Sequence, residues 1–116
     1  MKIAIPVDDT KENVCVSFAR APYFLFEEDG KSELIENVAA QAQGGAGLKA
    51  AQFLVDQNAD VLITVRCGEN AAKVLQLAEM EVYKSQGENA HKQVEMLKEG
   101  KLEKLTEFHA GYHGLR

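Results

Sequence analysis

Sulfur is scarce in this chain of 116 residues: it holds two cysteines, Cys15 and Cys67, and no CxxC pair. Two thiols cannot build a four-cysteine zinc or iron–sulfur site within one chain. In a reducing compartment they stay reduced. Long apolar runs are missing too. Residues 1–7 are too short for a signal peptide and meet Asp8 and Asp9 at once, and no stretch approaches the roughly 20 residues of a membrane span. The expected setting is cytoplasmic, with no membrane partner. An excess of positive charge is also absent. The formal net charge of −5 argues against a general nucleic-acid or anionic-membrane surface, while leaving room for a local basic pocket. Internal repeats, low-complexity tracts, a Walker motif and a GxSxG elbow are all lacking. What remains is an ordinary globular composition, 46% hydrophobic and 27% charged, on a length that suits one core without disulfide or zinc support.

The apolar pattern orders the chain. Ile3, Ile5 and Val7 alternate along a strand over 2–7, with Pro6 near its end. Residues 8–20 read as a polar loop, extended around Val14, Cys15 and Val16. Tyr23-Phe24-Leu25-Phe26 is strongly β-prone, and Asp29-Gly30 supplies the positive φ values of a type I′ hairpin turn leading to a return strand over 32–36. After an irregular stretch over 37–43, Gly44-Gly45-Ala46-Gly47 opens a helix whose Leu48, Ala51, Leu54 and Val55 share a face, with Asn58 at its end. A strand over 60–65, a helix over 71–78, a short strand over 81–84 and a third helix around Ala90, Val94 and Leu97 follow. Lys98 and Gly100 stop the last.

The order β-β-β-α-β-α-β-α predicts a single α/β domain over residues 1–105, in two or three layers. Its sheet should be mixed, an antiparallel hairpin on one side and parallel βαβ units on the other. Residues 106–116 are expected to form a flexible C-terminal tail. Ligands of such sheets collect beyond the carboxyl ends of the parallel strands. There Asp8-Asp9, residues 66–70 and Ser85-Gln86-Gly87 should meet, with residues 44–47 nearby.

Arg66-Cys67-Gly68-Glu69-Asn70 carries most of the chemistry. A strand ending in a glycine turn that opens a helix presents unpaired N–H groups and the positive end of the helix dipole, an arrangement suited to anions. Cys67 at that position is expected to have a lowered pKa, so that its thiolate can act as ligand or nucleophile; the plainer alternative is a small cysteine packed beneath the turn. Glu69 in the first turn complements the dipole and would partly repel a bound anion. Gly45 and its neighbours either turn the chain into a helix or lend N–H groups to the same pocket. Asp8 and Asp9 read as a solvated turn. His109 and His113 are spaced i, i+4 and could bind metal with Cys67 or Cys15, although Gly111 and Gly114 oppose a helix there. His91 reads as a surface residue.

Taken together these pieces resemble the dinitrogenase iron–molybdenum cofactor biosynthesis family, which includes NifX-type and NafY-type proteins and small stand-alone members. The resemblance spans about residues 1–105. It rests on Met1-Lys2-Ile3-Ala4-Ile5-Pro6-Val7-Asp8, Phe18-Ala19-Arg20-Ala21-Pro22-Tyr23-Phe24, Gly44-Gly45-Ala46-Gly47, Asp60-Val61-Leu62-Ile63 leading to Cys67-Gly68-Glu69-Asn70-Ala71, and Gly100-Lys101-Leu102. It implies an RNase H-like fold with a mixed five-stranded sheet and about three helices. It also implies non-catalytic binding of an iron–sulfur, iron–molybdenum or other thiometallate cluster. Where relatives often carry histidine and glycine around the phenylalanine matching Phe18, this chain has Ser17 and Ala19.

The resulting expectation is a carrier of an anionic metal–sulfur cluster or precursor, working with cluster donor or acceptor proteins as a monomer or weak homodimer. The cargo contacts would be Cys67, Gly68, Arg66, Glu69, Asn70, Arg20 and Gly45. The alternatives are a cysteine-dependent enzyme acting on a small anionic substrate, which needs a base beside Cys67, and a regulatory interaction module with a vestigial pocket.

Overall fold

The computed structural model of the chain describes residues 1–108. Their elements run β1 (Lys2–Val7), β2 (Tyr23–Glu28), β3 (Lys31–Glu36), a 3-10 turn (Val38–Gln41), α1 (Ala46–Asp56), β4 (Val61–Thr64), α2 (Glu69–Leu77), β5 (Glu81–Lys84) and α3 (Ala90–Lys98). The strands form one mixed sheet in the order β3-β2-β1-β4-β5. β1 and β2, and β2 and β3, pair antiparallel, while β1 and β4, and β4 and β5, pair parallel. The α/β class, the mixed five-stranded sheet and the three helices agree with the pattern read from the sequence.

Alternation on the strands divides the core in two. Ala4, Phe24, Phe26, Leu62 and Val82 face α1 and α2, where Ala50, Ala51, Leu54, Ala72 and Leu75 complete one apolar layer. Ile3, Ile5, Val7, Leu25, Val61 and Ile63 face the other way, onto Ala90 and Val94 of α3. The architecture is therefore three-layered, which the sequence left open. β4 is buried at every position, as a parallel strand covered on both faces must be. Each large side chain buried in these layers contributes about 1.5–3 kcal/mol.

The turns follow the local chemistry. Asp29 and Gly30 sit at φ 54 and 80, the positive values that a right-twisted hairpin requires. Asn58 and Gly100, at φ 62 and 73, end α1 and α3 in the left-handed conformation. Beyond α3 the chain lies along the free edge of β5: Lys84 N–H donates to Glu103 O at 2.8 Å and Leu105 N–H to Val82 O at 2.9 Å. That pairing covers an edge that would otherwise be open.

Residues 8–14 meet the loop that follows β5. Val14 N–H donates to Glu88 O and Ala90 N–H to Glu12 O, so this loop is tied to the start of α3. Asp8 carboxylate is occupied by Thr10, whose N–H and hydroxyl both donate to it.

Candidate functional site

Thr64, fully buried at the end of β4, donates from Oγ1 to the carbonyl of Arg66 at 3.2 Å. This bond folds the chain sharply between β4 and α2. Gly68 is the N-cap of α2, and no side chain caps the helix. The Ala72 N–H is bonded to Gly68 O at 3.0 Å, so helix geometry leaves the amides of Glu69, Asn70 and Ala71 without an intrahelical acceptor. α1 begins in the same way. Gly45, at φ 69 and ψ 24, precedes it without a side-chain cap; that backbone conformation favours glycine. Lys49 N–H reaches Gly45 O at 3.0 Å, which frees the amides of Ala46, Gly47 and Leu48.

The other helical starts differ. Asn89 Oδ1 accepts from Lys92 N–H at 2.9 Å at the start of α3, and Asn37 Oδ1 accepts from Ala39 N–H at 3.1 Å at the start of the 3-10 turn. The two uncapped helices are the two that meet. A Cβ added to Gly47 would lie 3.7 Å from that of Ala71.

Between these helix starts lies a cavity of ≈ 630 Å³, lined from residues 16–20, 45–48, 66–68 and 70–71. Phe18, buried and edge-on to Phe24 at 5.7 Å, anchors the 16–20 wall. Ser17 Oγ accepts from the N–H of Arg20 at 3.1 Å and shapes its turn. Arg20 and Arg66 both line the cavity, and no carboxylate does so among the described residues. The ion pairs of the described residues join Lys98 to Glu27, Lys101 to Glu99 and Lys104 to Glu81; neither arginine takes part. Two arginines in no ion pair among the described residues and two helix N-termini thus put positive charge on one concave surface of an otherwise acidic chain. Val16, Phe18, Ala19, Leu48 and Ala71 make the rest of the wall apolar.

Cys67 also lines the cavity, but its state is the reverse of the expected one. Its side chain is 1% exposed and packs in the core layer with Phe18 and Phe24. Sγ has one polar neighbour among the described residues, Gly68 O at 3.6 Å. Burial pushes the thiol up to about 11, because desolvation of the thiolate outweighs the adjacent helix dipole. The turn that holds Cys67 also walls a second cavity of ≈ 420 Å³, shared with Val65, Lys84, Leu105, Glu107 and Phe108.

Of the residues expected at the site, Arg20, Gly45, Arg66, Cys67, Gly68 and Asn70 line one cavity. Glu69 does not: it is exposed in the first turn of α2 and lies off the lining. Cys15, half-buried, lies outside the cavity because its backbone is tied to Pro6 O at 2.8 Å. Asp8, Asp9 and residues 85–87 are also absent from the lining. His109 and His113 lie outside the described residues. His91 is exposed on α3. The residues that sequence reasoning passed over are Leu48, treated only as a helix-face position, and Asn37, treated as irregular chain although an Asn before Val38-Ala39-Ala40 is a capping signal. Among the described residues no cluster of three or more His, Cys, Asp or Glu side chains could hold a metal ion, and no helix is long and apolar enough to cross a membrane.

Residues 1–100 match the dinitrogenase iron–molybdenum cofactor family. The chain is similar to a Thermotoga protein provisionally assigned as NifB and placed in the DUF35 family, with 36% identity, 92% of this chain and 95% of that chain covered, and a TM-score of 0.77. It is similar to the apo form of the orange protein of Desulfovibrio gigas, with 26% identity, 90% and 92% covered, and a TM-score of 0.83. A Methanocaldococcus jannaschii protein shares the fold at 23% identity, with 91% and 95% covered and a TM-score of 0.71. No curated protein matches the sequence.

Proposed function

Because the chain belongs to the dinitrogenase iron–molybdenum cofactor family, we propose that it binds and carries an anionic metal–sulfur cluster or its precursor and catalyses no reaction upon it. The observation that carries this reading is the cavity on which two uncapped helix N-termini and two unpaired arginines converge with no opposing carboxylate among the described residues. A volume of ≈ 630 Å³ corresponds to about twenty water molecules, far more than one small oxyanion requires. Its mixed wall suits a large, soft, weakly hydrated anion. Guanidinium is itself weakly hydrated, and amide N–H groups give charge-assisted hydrogen bonds to sulfide edges.

The thiol is a wall, not the principal ligand. At pH 7 a group that titrates at about 11 costs about 5 kcal/mol to ionise, which a bond to the cluster metal would have to offset before it contributed affinity. Arg66, Gly68, Asn70, Arg20 and Gly45 therefore carry the contact by charge and N–H donation, an arrangement that permits release to an acceptor protein. A cysteine enzyme has less support. Sγ of Cys67 meets no basic side chain among the described residues, and the thiol is protonated at neutral pH.

Anaerobic incubation with tetrathiomolybdate followed by desalting tests the reading. The wild-type protein should elute coloured, and Arg66→Glu should elute with little colour. A colourless wild type, after both tetrathiomolybdate and an iron–sulfur donor have been offered, would refute the carrier.

A further inference from the structure

Arg20 and Asn37 reciprocally clasp the 16–20 wall of the cavity to the segment over 37–42. From the 16–20 wall, Arg20 Nη1 donates to Ala40 O at 2.9 Å and to Ala42 O at 2.7 Å. From the opposite segment, Asn37 Nδ2 donates back to Ala19 O at 3.0 Å and Ala21 O at 2.9 Å, on either side of Arg20. Asn37 is buried and does not line the cavity. Beyond Ala42 the chain is exposed through residues 43–45 until α1 begins at Ala46. A Cβ placed on Gly44 or Gly45 would meet nothing within 4 Å. Ala39, buried in the core layer, and the Asn37 N–H bond to Pro22 O at 3.0 Å anchor the start of the segment; beyond Ala39 the clasp ties the carbonyls of Ala40 and Ala42 that lead toward the α1 N-terminus.

The guanidinium divides its donors. Both recorded bonds use Nη1, and among the described residues Nε and Nη2 meet no acceptor, while Arg20 lines the cavity. A planar guanidinium can hold two carbonyls through one nitrogen and an anion through the others at the same time. A lysine ammonium has a single nitrogen for both tasks.

We propose that Arg20 is a positioning residue that couples cavity occupancy to the order of residues 38–45: an anion held by Nε and Nη2 fixes the guanidinium, and Nη1 then fixes the carbonyls of Ala40 and Ala42. This rests on the anion-carrier reading of the cavity. By the same linkage the clasp raises affinity, since the α1 amides are already in place when the anion arrives.

Amide hydrogen exchange reads the coupling at Ala39, Ala40 and Ala42, whose N–H groups are bonded within the segment to Asn37 Oδ1, Asn37 O and Ala39 O. In the wild type, saturating tetrathiomolybdate should slow these three amides by about tenfold, the scale of one charge-assisted hydrogen bond. In Arg20→Lys the slowing should fall below about twofold, although the charge is kept. Lys92 N–H, bonded at the distant cap of α3, reports general stability and should be unmoved by the substitution. Asn37→Ser keeps a neutral N-cap acceptor and adds no charge but removes the two Nδ2 donors; it should weaken tetrathiomolybdate binding by about tenfold. Equal protection in wild type and Arg20→Lys overturns the coupling while leaving the anion site standing. Failure of the wild type to bind either tetrathiomolybdate or an iron–sulfur donor overturns the carrier reading, and the coupling with it.

Discussion

Replacing Cys67 by alanine should produce a stability difference that changes with pH and vanishes near pH 10. At neutral pH the substitution removes a sulfur from a site that is 1% exposed, at a cost of about 1 kcal/mol from lost packing and the small void left behind. The thiol titrates at about 11 in the folded protein against an ordinary 9.0. Between those values the unfolded chain has lost the proton and the folded one has kept it, so the unfolded state binds fewer protons and stability falls as pH rises. The two-unit offset amounts to about 2.7 kcal/mol when complete, and about 1.4 kcal/mol of it has been lost by pH 10. Wild type should thus be about 1 kcal/mol more stable than Cys67→Ala at pH 7.5 and no more stable near pH 10. Urea unfolding followed by circular dichroism at several pH values measures this. Lysines and tyrosines titrate in both proteins and cancel in the difference. A gap that is constant from pH 7.5 to 10.5, or one that widens, would mean that the thiol ionises no later in the folded protein than in the unfolded chain. Burial would then not outweigh the α2 dipole at this thiol.

The remaining predictions concern binding and packing. Arg66→Gln should weaken tetrathiomolybdate binding by about tenfold or more in a spectroscopic titration, because one charge-assisted donor is lost. Affinity in the wild type should stay flat from pH 6 to 8.5, since Cys67 remains protonated throughout; a steady rise over that range would point to thiolate ligation. Asn89→Ala should destabilise the fold by about 1 kcal/mol through loss of the α3 cap, with titrated affinity unchanged. Gly87→Ala should lower stability by about 1–3 kcal/mol in thermal unfolding, because the added Cβ would lie 2.9 Å from Nε2 of Gln93, a buried side chain whose Oε1 already accepts from Gln86 N–H.

Much of the frame was legible because its signals are local. Alternation along 2–7, the β-prone run over 23–26 and the Asp29-Gly30 turn signal identified the antiparallel half of the sheet, and Asp29-Gly30 and Gly100 adopt the positive φ values that their residue types suggested. The two glycine-opened helices were also readable, and Gly45, Arg66, Cys67, Gly68 and Asn70 at or beside their starts line the cavity. What sequence could not supply was set by distant contacts. Helix α2 starts at Glu69, earlier than periodicity implied, because an uncapped polar turn contributes nothing to an apolar pattern. The state of Cys67 depends on Phe18 and Phe24, remote in sequence, whose packing desolvates it. Loop 8–14 is bonded through its backbone to Glu88 and Ala90 at the start of α3, while Asp8 and Asp9 stay off the cavity lining, a distinction that residue types alone do not carry. The Arg20–Asn37 clasp joins side chains to backbone carbonyls on another segment, a pairing that leaves no periodic trace.

The central claim is that charge and backbone N–H groups, rather than a thiolate, hold a metal–sulfur anion in this cavity. The direct measurement is the tetrathiomolybdate retained after anaerobic desalting by wild type, Cys67→Ala and Arg66→Glu, quantified by visible absorption and metal analysis on folded protein. Near-equal retention by wild type and Cys67→Ala, with loss in Arg66→Glu, is the predicted result. Loss in Cys67→Ala with full retention in Arg66→Glu would contradict it.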